Sequence, residues 1–581
     1  MDGHQVDATN RRSTSSMIQN IAKTPAKLSR SLVFAGLIFA LLIMVMACDT
    51  ATESLEKIKD TDAFEKATGE KRDRTPESKP SESQSRKSAD RTPESKPSEI
   101  QSRKSADQRD GRNTQVLQSG QVSPKQVRGG TFPSIKQDLL SRLNDNEKSK
   151  PYYVPDGPIR GKTTPEAPKY VTKLLNLEPP IGNGDTQAPL SFEEYDEIND
   201  ANPVAHLLNP EPSVAENGLT VMTTGNSWMS LSEDGGQNFT SVNPTTIFPE
   251  DYGGYCCDQV LQYVPQHDMF VWLLQYKDVG GTNAIRIAVQ TTQGVRNSNG
   301  TAWTYWDFTN VTFSPSGELD YNDMSFSNSF LYWTSSIGGG SNRYVVRIPL
   351  EELQAMGTVN FQFTGSTDAF WSHVTQNGRN GVYWAGHEDN STMLVYSMMD
   401  ADNFYSWREV PINSWPNAAM TSIAANGNDW LQDASWKTYV RAAATSGDSV
   451  YFAWNASSGG GFLEPHIQIV EISTSSFTLK NQTQVWNPDF AFAYPYFETN
   501  AKGELGMIVA FGGGAFDASS GVGVLGDNVI YYPGLSSSSR TNYGHYHTVR
   551  RSGTESSKWV GAGVTRKNDG SILPYYIRFS R

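Results

Sequence analysis

The sequence predicts an all-β chain. It reads as a β-propeller of four-stranded antiparallel blades, seven or six in number, behind a disordered N-terminal region. Three observations predict it. A pattern of apolar strand, turn and apolar strand occurs six times after residue 200. All 14 Trp fall in that same part of the 581-residue chain. The part before it carries a polar tandem repeat that cannot bury enough apolar surface to offset chain entropy.

Charge divides the chain in the same place. Residues 201–581 hold 19 Lys and Arg against 33 Asp and Glu, a net of −14. The first 200 residues hold 30 and 29, a net of +1. An acidic, aromatic-rich body argues against nucleic acid or anionic lipid as its partner.

The N-terminus reads as an address. Residues 31–47 are uncharged and apolar, and Lys23, Lys27 and Arg30 precede them. That is a positive n-region followed by an h-region. Val45-Met46-Ala47-Cys48 resembles a bacterial lipobox, which implies lipidation at Cys48 and a signal peptide over 1–48. A plain signal anchor of 17 apolar residues is the alternative, at the short limit for crossing a bilayer. Either reading exports the body and tethers it to a membrane, outside the cytoplasm. Residues 74–90 then repeat at 91–107, with Ile100 in place of Ser83. Pro, Ser, Glu, Lys and Arg dominate both copies, so residues 49–130 read as a disordered stalk. Residues 131–200 read as a Pro-rich transitional segment with one short helix near 134–143. The propeller takes 201–581.

Within the body, the first hairpin is Cys256 to Val264, a turn at Pro265 to Asp268, and Met269 to Tyr276. The later second strands begin at Phe330, Val382, Val450, Leu505 and Lys558, after turns rich in Gly, Asn and Asp. Third strands are expected at 283–293, 343–350, 392–399, 466–473, 527–534 and 572–579. Trp-bearing fourth strands follow, as at Trp303 to Trp306. Four strands per repeat is a propeller blade. Residues 218–242 add another blade. The last repeat ends at its third strand, and a strand from near 203–209 is expected to complete it.

Ser232, Asp234, Gly236 and Phe239 match the pattern Ser-x-Asp-x-Gly-x-x-aromatic. This resembles the Asp-box of sialidase-like propellers, where the motif is structural. Asp and Ser bond the turn backbone, Gly takes positive φ, and the aromatic docks beneath. Arg347-Ile348-Pro349 resembles another sialidase motif but falls on an outer strand, where charges such as Arg347 and Glu471 are expected to be solvated. A sialidase also needs three converging arginines, a Tyr–Glu pair and an acid Asp. Arg441 and Arg550 lie near first strands, and no third arginine is evident.

Aligning the repeats places a set of polar groups at first-strand entrances. They are Cys256, Cys257 and Asp258; Asp320, Asn322 and Asp323; His373; Asp433; Tyr494 and Tyr496; and His545 and His547. Radial repetition puts such positions round one axis, so they form the candidate ligand site at the channel mouth. His373, His545, Asp258 and Asp323 are the candidates for acid–base catalysis, and a divalent cation is the cofactor such oxygens and imidazoles would take. Taken singly, each residue also fits a strand cap or a solvated side chain. Cys256 and Cys257 are either a bridged pair, stiff and apolar, or two packed free thiols. The Gly-rich run 512–528 lacks Gly-Lys-Ser/Thr and is no phosphate loop. The functional expectation is a tethered propeller binding a ligand, foremost a glycan. The alternatives are a glycan-active hydrolase or lyase at the same place, and a protein-interaction scaffold on the blade rims.

Overall fold

The structure is a computed structural model. It describes residues 107–109, 112–128, 135–136, 169–174, 190–198 and 211–581, except 227, 314–316, 338–341, 433–437, 535, 537–542, 544–546 and 567–571. All described residues belong to one compact unit. Cys48, the h-region and the stalk up to residue 106 lie outside them, as do Asp433 and His545.

Seven sheets, each with an antiparallel four-stranded core, form seven blades. Numbered along the chain, their innermost described strands are Ser213–Asn217, Tyr255–Val264, Leu319–Phe326, an irregular segment at 372–376, Ala442–Ser446, Ala491–Thr499 and Thr548–Arg551. Each blade is built because its strands are apolar on both faces. In blade 2, Met269, Val271 and Leu273 pack against blade 3. The alternate residues Phe270, Trp272 and Leu274 pack against blade 1. Side chains alternate across a strand, so a strand buried on both faces reads as a continuous apolar run. The same arrangement separates blades 3 and 4 and blades 4 and 5. It recurs between blades 5 and 6 and blades 6 and 7. Val214, Val221, Trp228 and Phe239 of blade 1 meet Val560, Ala562 and Tyr576 of blade 7, and so the ring closes.

The closing strand is Ser191–Glu197, which pairs with Ile572–Ser580 as the fourth strand of blade 7. The sequence expectation of a strand at 203–209 is corrected by this pairing. The third strand of blade 6 is Phe516–Val524, and Val529–Tyr532 is its fourth. The expected strand at 527–534 was therefore one position too far out. Gly521 and Gly523 dilute the apolar signal of Phe516–Val524, and these small residues let neighbouring strands approach closely.

A second correction concerns the stalk. Arg112–Val116 pairs with Phe404–Pro411 on the outer edge of blade 4. Gln118–Val122 then pairs with Val359–Phe363 of blade 3, and Lys125–Val127 with Trp303–Thr309 of blade 2. Ile135–Lys136 reaches blade 1, where a helix had been expected, and Val171–Leu174 lies parallel to Val529–Tyr532 of blade 6. From 112 to 136 the strands meet blades 4, 3, 2 and 1, opposite to blade order. Polar pairs hold them: Tyr405 donates to Gln115 at 2.7 Å, and Lys125 Nζ lies 2.8 Å from Asp307. Strands that gain stability from backbone ladders at an edge need no apolar alternation, so this stretch looked like spacer.

The turn at Ser232 to Phe239 carries its own bonds. Ser232 Oγ donates to Asp234 at 2.7 Å and accepts from the Gly236 N–H at 2.9 Å. Gly235 and Gly236 have φ of 85° and 104°, and a Cβ at Gly236 would strike the Tyr576 ring. Phe239 is buried beneath. Arg347 is also buried, against expectation. It donates to Gln362 at 2.9 Å and to the Asp402 carbonyl at 2.5 Å, and so ties blade 3 to blade 4. Glu471 is half-buried and pairs with Lys480 at 3.1 Å.

Limited proteolysis tests the rim segment. The peptide 112–128 is expected to stay uncut and bound to the body, because its backbone N–H groups are held in sheets. Rapid cleavage inside 112–128, with the body intact, would contradict the pairing.

Candidate functional site

The inner strands do not run straight. Pairing slips between Cys257 and Val260, between Asp320 and Asp323, and between Ala493 and Tyr496. At each slip one residue takes positive φ: Asp258 at 45°, Tyr321 at 55° and Tyr494 at 54°. Trp371, beside the irregular inner segment of blade 4, takes 47°. A bulge re-aims side chains, and a bulky residue in this region costs of order 1–3 kcal/mol. Four blades thus hold strain at the same level of the channel, where backbone geometry turns side chains toward the axis.

Tyr321 is the hub. Its carbonyl accepts from Arg343 Nη1 at 2.5 Å, and its hydroxyl accepts from Arg441 Nη1. Trp371 stacks on its ring with centroids 5.3 Å apart. The His373 ring lies 5.7 Å from Tyr321 and 5.4 Å from Tyr496. Tyr496 donates to Asp323 at 3.0 Å and accepts from Arg550 Nη1. His373 Nδ1 is 3.9 Å from Asp323 Oδ2, and that oxygen accepts from the Val374 N–H at 3.1 Å. The Arg441 guanidinium lies 5.6 Å from the Tyr494 ring. Three arginines therefore meet here from blades 3, 5 and 7, and at most 3% of any of them is exposed. Arg343 is the third arginine that the sequence did not disclose.

Burial sets the protonation states. It holds His373 well below the usual histidine value, and Arg343, Arg441 and Arg550 push the same way. It pushes Arg343 down to about 10. It pushes Asp323 up, against the pull of Arg550. Tyr496 is held well above the usual phenol value by burial, so its hydroxyl keeps its proton.

The other expected residues divide. Asp258 is buried beside Glu211. Asn226 Nδ2 donates to Glu211 at 2.7 Å, and Asn226 Oδ1 accepts from the Asp258 N–H at 3.1 Å. Burial, then the Glu211 and Asp320 carboxylates, pushes Asp258 far above the ordinary aspartate value. Asp320 is exposed and accepts from Gln275 at 3.1 Å, and Asn322 donates to Gln275 at 2.7 Å. His547 is buried 5.6 Å from the Tyr543 ring. Cys256 and Cys257 are joined as a vicinal disulfide and are half-buried. Among the described residues, no three His, Cys, Asp or Glu side chains converge as a metal site. The positive charge in the channel is arginine. Sequence reasoning missed Glu211, Tyr321, Arg343 and Trp371. The three slip positions could have been aligned with one another; Arg343 comes from a third strand and left no local signal.

At the opposite ends of the inner strands lies a polar funnel of about 390 Å³. Gln262 donates to Gln376 at 2.8 Å across its floor, and Arg550 lines it too.

No protein-family model and no curated protein matches the chain. Solved structures that align with it are propellers in part. A neuraminidase-like protein of A/little yellow-shouldered bat/Guatemala aligns at 9% identity over 55% of this chain and 96% of its own, with a TM-score of 0.30. A lectin from Burkholderia pseudomallei aligns at 10% over 63% and 95%, with a TM-score of 0.36. A Dyadobacter fermentans protein whose title gives unknown function aligns at 10% over 67% and 99%, with a TM-score of 0.33. Identities and scores this low assign neither family nor function.

The buried histidines give a pH test. An ordinary histidine titrates near 6.5, and burial pushes His547 to about 3. The unfolded chain then binds a proton that the folded chain refuses, so this group's stabilisation is lost as pH falls from about 6.5 toward 3. His547→Gln is expected to flatten the slope of stability against pH by up to about 1.4 kcal/mol per unit between about pH 4 and 6. Buried carboxylates pull the other way, and comparing variant with parent cancels them. An unchanged slope in urea unfolding would sink the assignment.

Proposed function

We propose that the chain is an exported, lipid-tethered propeller that binds a glycan bearing a carboxylate in its central channel. The observation that supports this most is the meeting of Arg343, Arg441 and Arg550 around His373 and Tyr321. Among the described residues, Arg343 Nε and Arg550 Nη2 are buried with no hydrogen-bond partner. A buried unspent donor is costly, and a guanidinium matches a planar carboxylate with paired bonds. The uncharged His373 adds neutral ring nitrogens of the kind that sugar hydroxyls bond. The Ser232–Phe239 turn is read as an Asp-box, which agrees with a sialidase-like lineage for the ring. The signal peptide and lipobox ending at Cys48 supply export and tether.

A hydrolase is the second reading, favoured by the hydrogen bond from Tyr496 to Asp323 beside Arg550. A phenol paired with a carboxylate is a nucleophile arrangement known among sialidases. Burial that holds the Tyr496 proton on weighs against it and toward binding.

A panel of acidic and neutral glycans, scored for retention and for released product with the full chain in detergent, separates the readings. Retention of carboxylate-bearing glycans alone is expected, weakened about tenfold or more in Arg441→Gln, as for the loss of a charged hydrogen-bonding partner. Equal retention of neutral glycans, or none of either, overturns the proposal, and product release establishes the hydrolase.

The tether has its own test. Cys48→Ser is expected to abolish fatty-acid labelling and processing after Ala47. Unchanged processing and detergent partition would favour the plain anchor.

A further inference from the structure

We propose that the funnel at the far ends of the inner strands is a second binding site, for a small carboxylate. It opens at the end of the strands away from Asp258, Tyr321 and Tyr494, so it is distinct from the site above. Its volume, about 390 Å³, lies at the small end of ligand pockets. Six blades supply its lining, and the charged members are Glu216, Arg379, Glu498, Arg550 and Arg551.

The two glutamates are already spent. Glu216 Oε2 accepts from the Gly553 N–H at 3.0 Å, and Glu498 Oε1 accepts from the Thr499 N–H at 2.8 Å. Glu216 thereby joins blade 1 to blade 7, and Glu498 bonds the backbone of its own strand. Arg550 and Arg551 face Glu498 electrostatically but keep donor capacity. Arg550 Nε donates to the Leu261 carbonyl at 3.2 Å and Nη1 to Tyr496, while Nη2 is buried without a hydrogen-bond partner among the described residues. The Arg551 guanidinium donates a long bond, 3.2 Å, to Asn377 Oδ1. Arg379 is exposed at the rim.

Three arginines against two glutamates leave the lining positive by one charge. That matches a carboxylate, and the glutamates disfavour a dianion such as phosphate. The floor is neutral amide: Gln262 and Gln376 bond each other and the Met324 carbonyl. An acid carried on a short polar body meets guanidinium and amide groups in the same lining. Arg550 belongs to both ends of the channel, so Arg551 and Arg379 are the residues that distinguish the funnel.

The test is calorimetric titration of the full chain in detergent with lactate. Lactamide serves as its uncharged counterpart and inorganic phosphate as the dianion. Saturable lactate binding is expected, with no lactamide binding and weaker phosphate binding. Arg551→Gln is expected to weaken lactate about tenfold and the exposed Arg379→Gln about threefold, while Arg441→Gln changes it less than about twofold. Circular dichroism melting checks that each variant folds, and Arg379→Gln carries the test if Arg551→Gln does not. The proposal is overturned if lactate does not saturate or phosphate binds tighter. It is also overturned if the folded funnel variants bind like the parent, or if Arg441→Gln loses lactate as they do. The last outcome would move the binding to the upper cluster and leave the glycan reading standing.

Discussion

Each blade has two apolar faces, and everything else in the body follows from burying both. A free sheet of this kind would expose residues such as Trp272 and Leu273 on opposite sides at once. Burying one large apolar side chain is worth roughly 1.5–3 kcal/mol, so the only stable arrangement covers every face with a neighbour. A ring does this without a terminal blade, provided first and last meet. Val214 and Trp228 against Val560 and Tyr576 supply the packing, and Ser191–Glu197 supplies the pairing. Closure in turn creates an axis, and the axis gathers polar groups that are far apart in the chain.

What gathers there is not a random sample. Asp258, Tyr321 and Tyr494 occupy the slip positions of three inner strands and share the same unusual backbone geometry. Such strain persists only where surroundings over-determine it. Around Tyr321 those surroundings are two guanidinium groups, a stacked Trp371 and the His373 ring. Buried charge is tolerated because nearly every member is bonded to another, as Arg550 is through Tyr496 to Asp323. The channel is therefore rich in cationic side chains inside a body that is acidic as a whole. A negative ligand reaching it would leave a repulsive outer field for an attractive inner one, which favours selectivity over speed.

The legible part of the site was its level along the strands. Asp258, Asp323, His373, Tyr494, Tyr496 and His547 were all placed at strand entrances, and they are buried round one axis. The illegible part was everything that reaches the axis by another route. Arg343 arrives from a third strand, and Glu211 precedes the first blade, so neither shares the repeat position of its partners. Arg347 misled in the opposite direction. An outer strand suggested solvent, but the blade 4 turn at Met399 to Asp402 folds over it and supplies three carbonyl acceptors.

By itself the sequence determined the class of fold, because apolar runs of strand length separated by Gly, Asn and Asp turns are local signals repeated six times over. It also determined where the body's hairpins turn. Only the tertiary structure decided the rest. The rim strands at 112–127 carry no apolar alternation and exist as strands because an unpaired blade edge offers them a ladder. The closing strand was set by which segment could reach blade 7, a question of path rather than composition. The arginine cluster depends on which blades face one another across the axis. That is a long-range geometric fact, and side chains that meet only after the ring shuts leave no pattern in the chain that carries them.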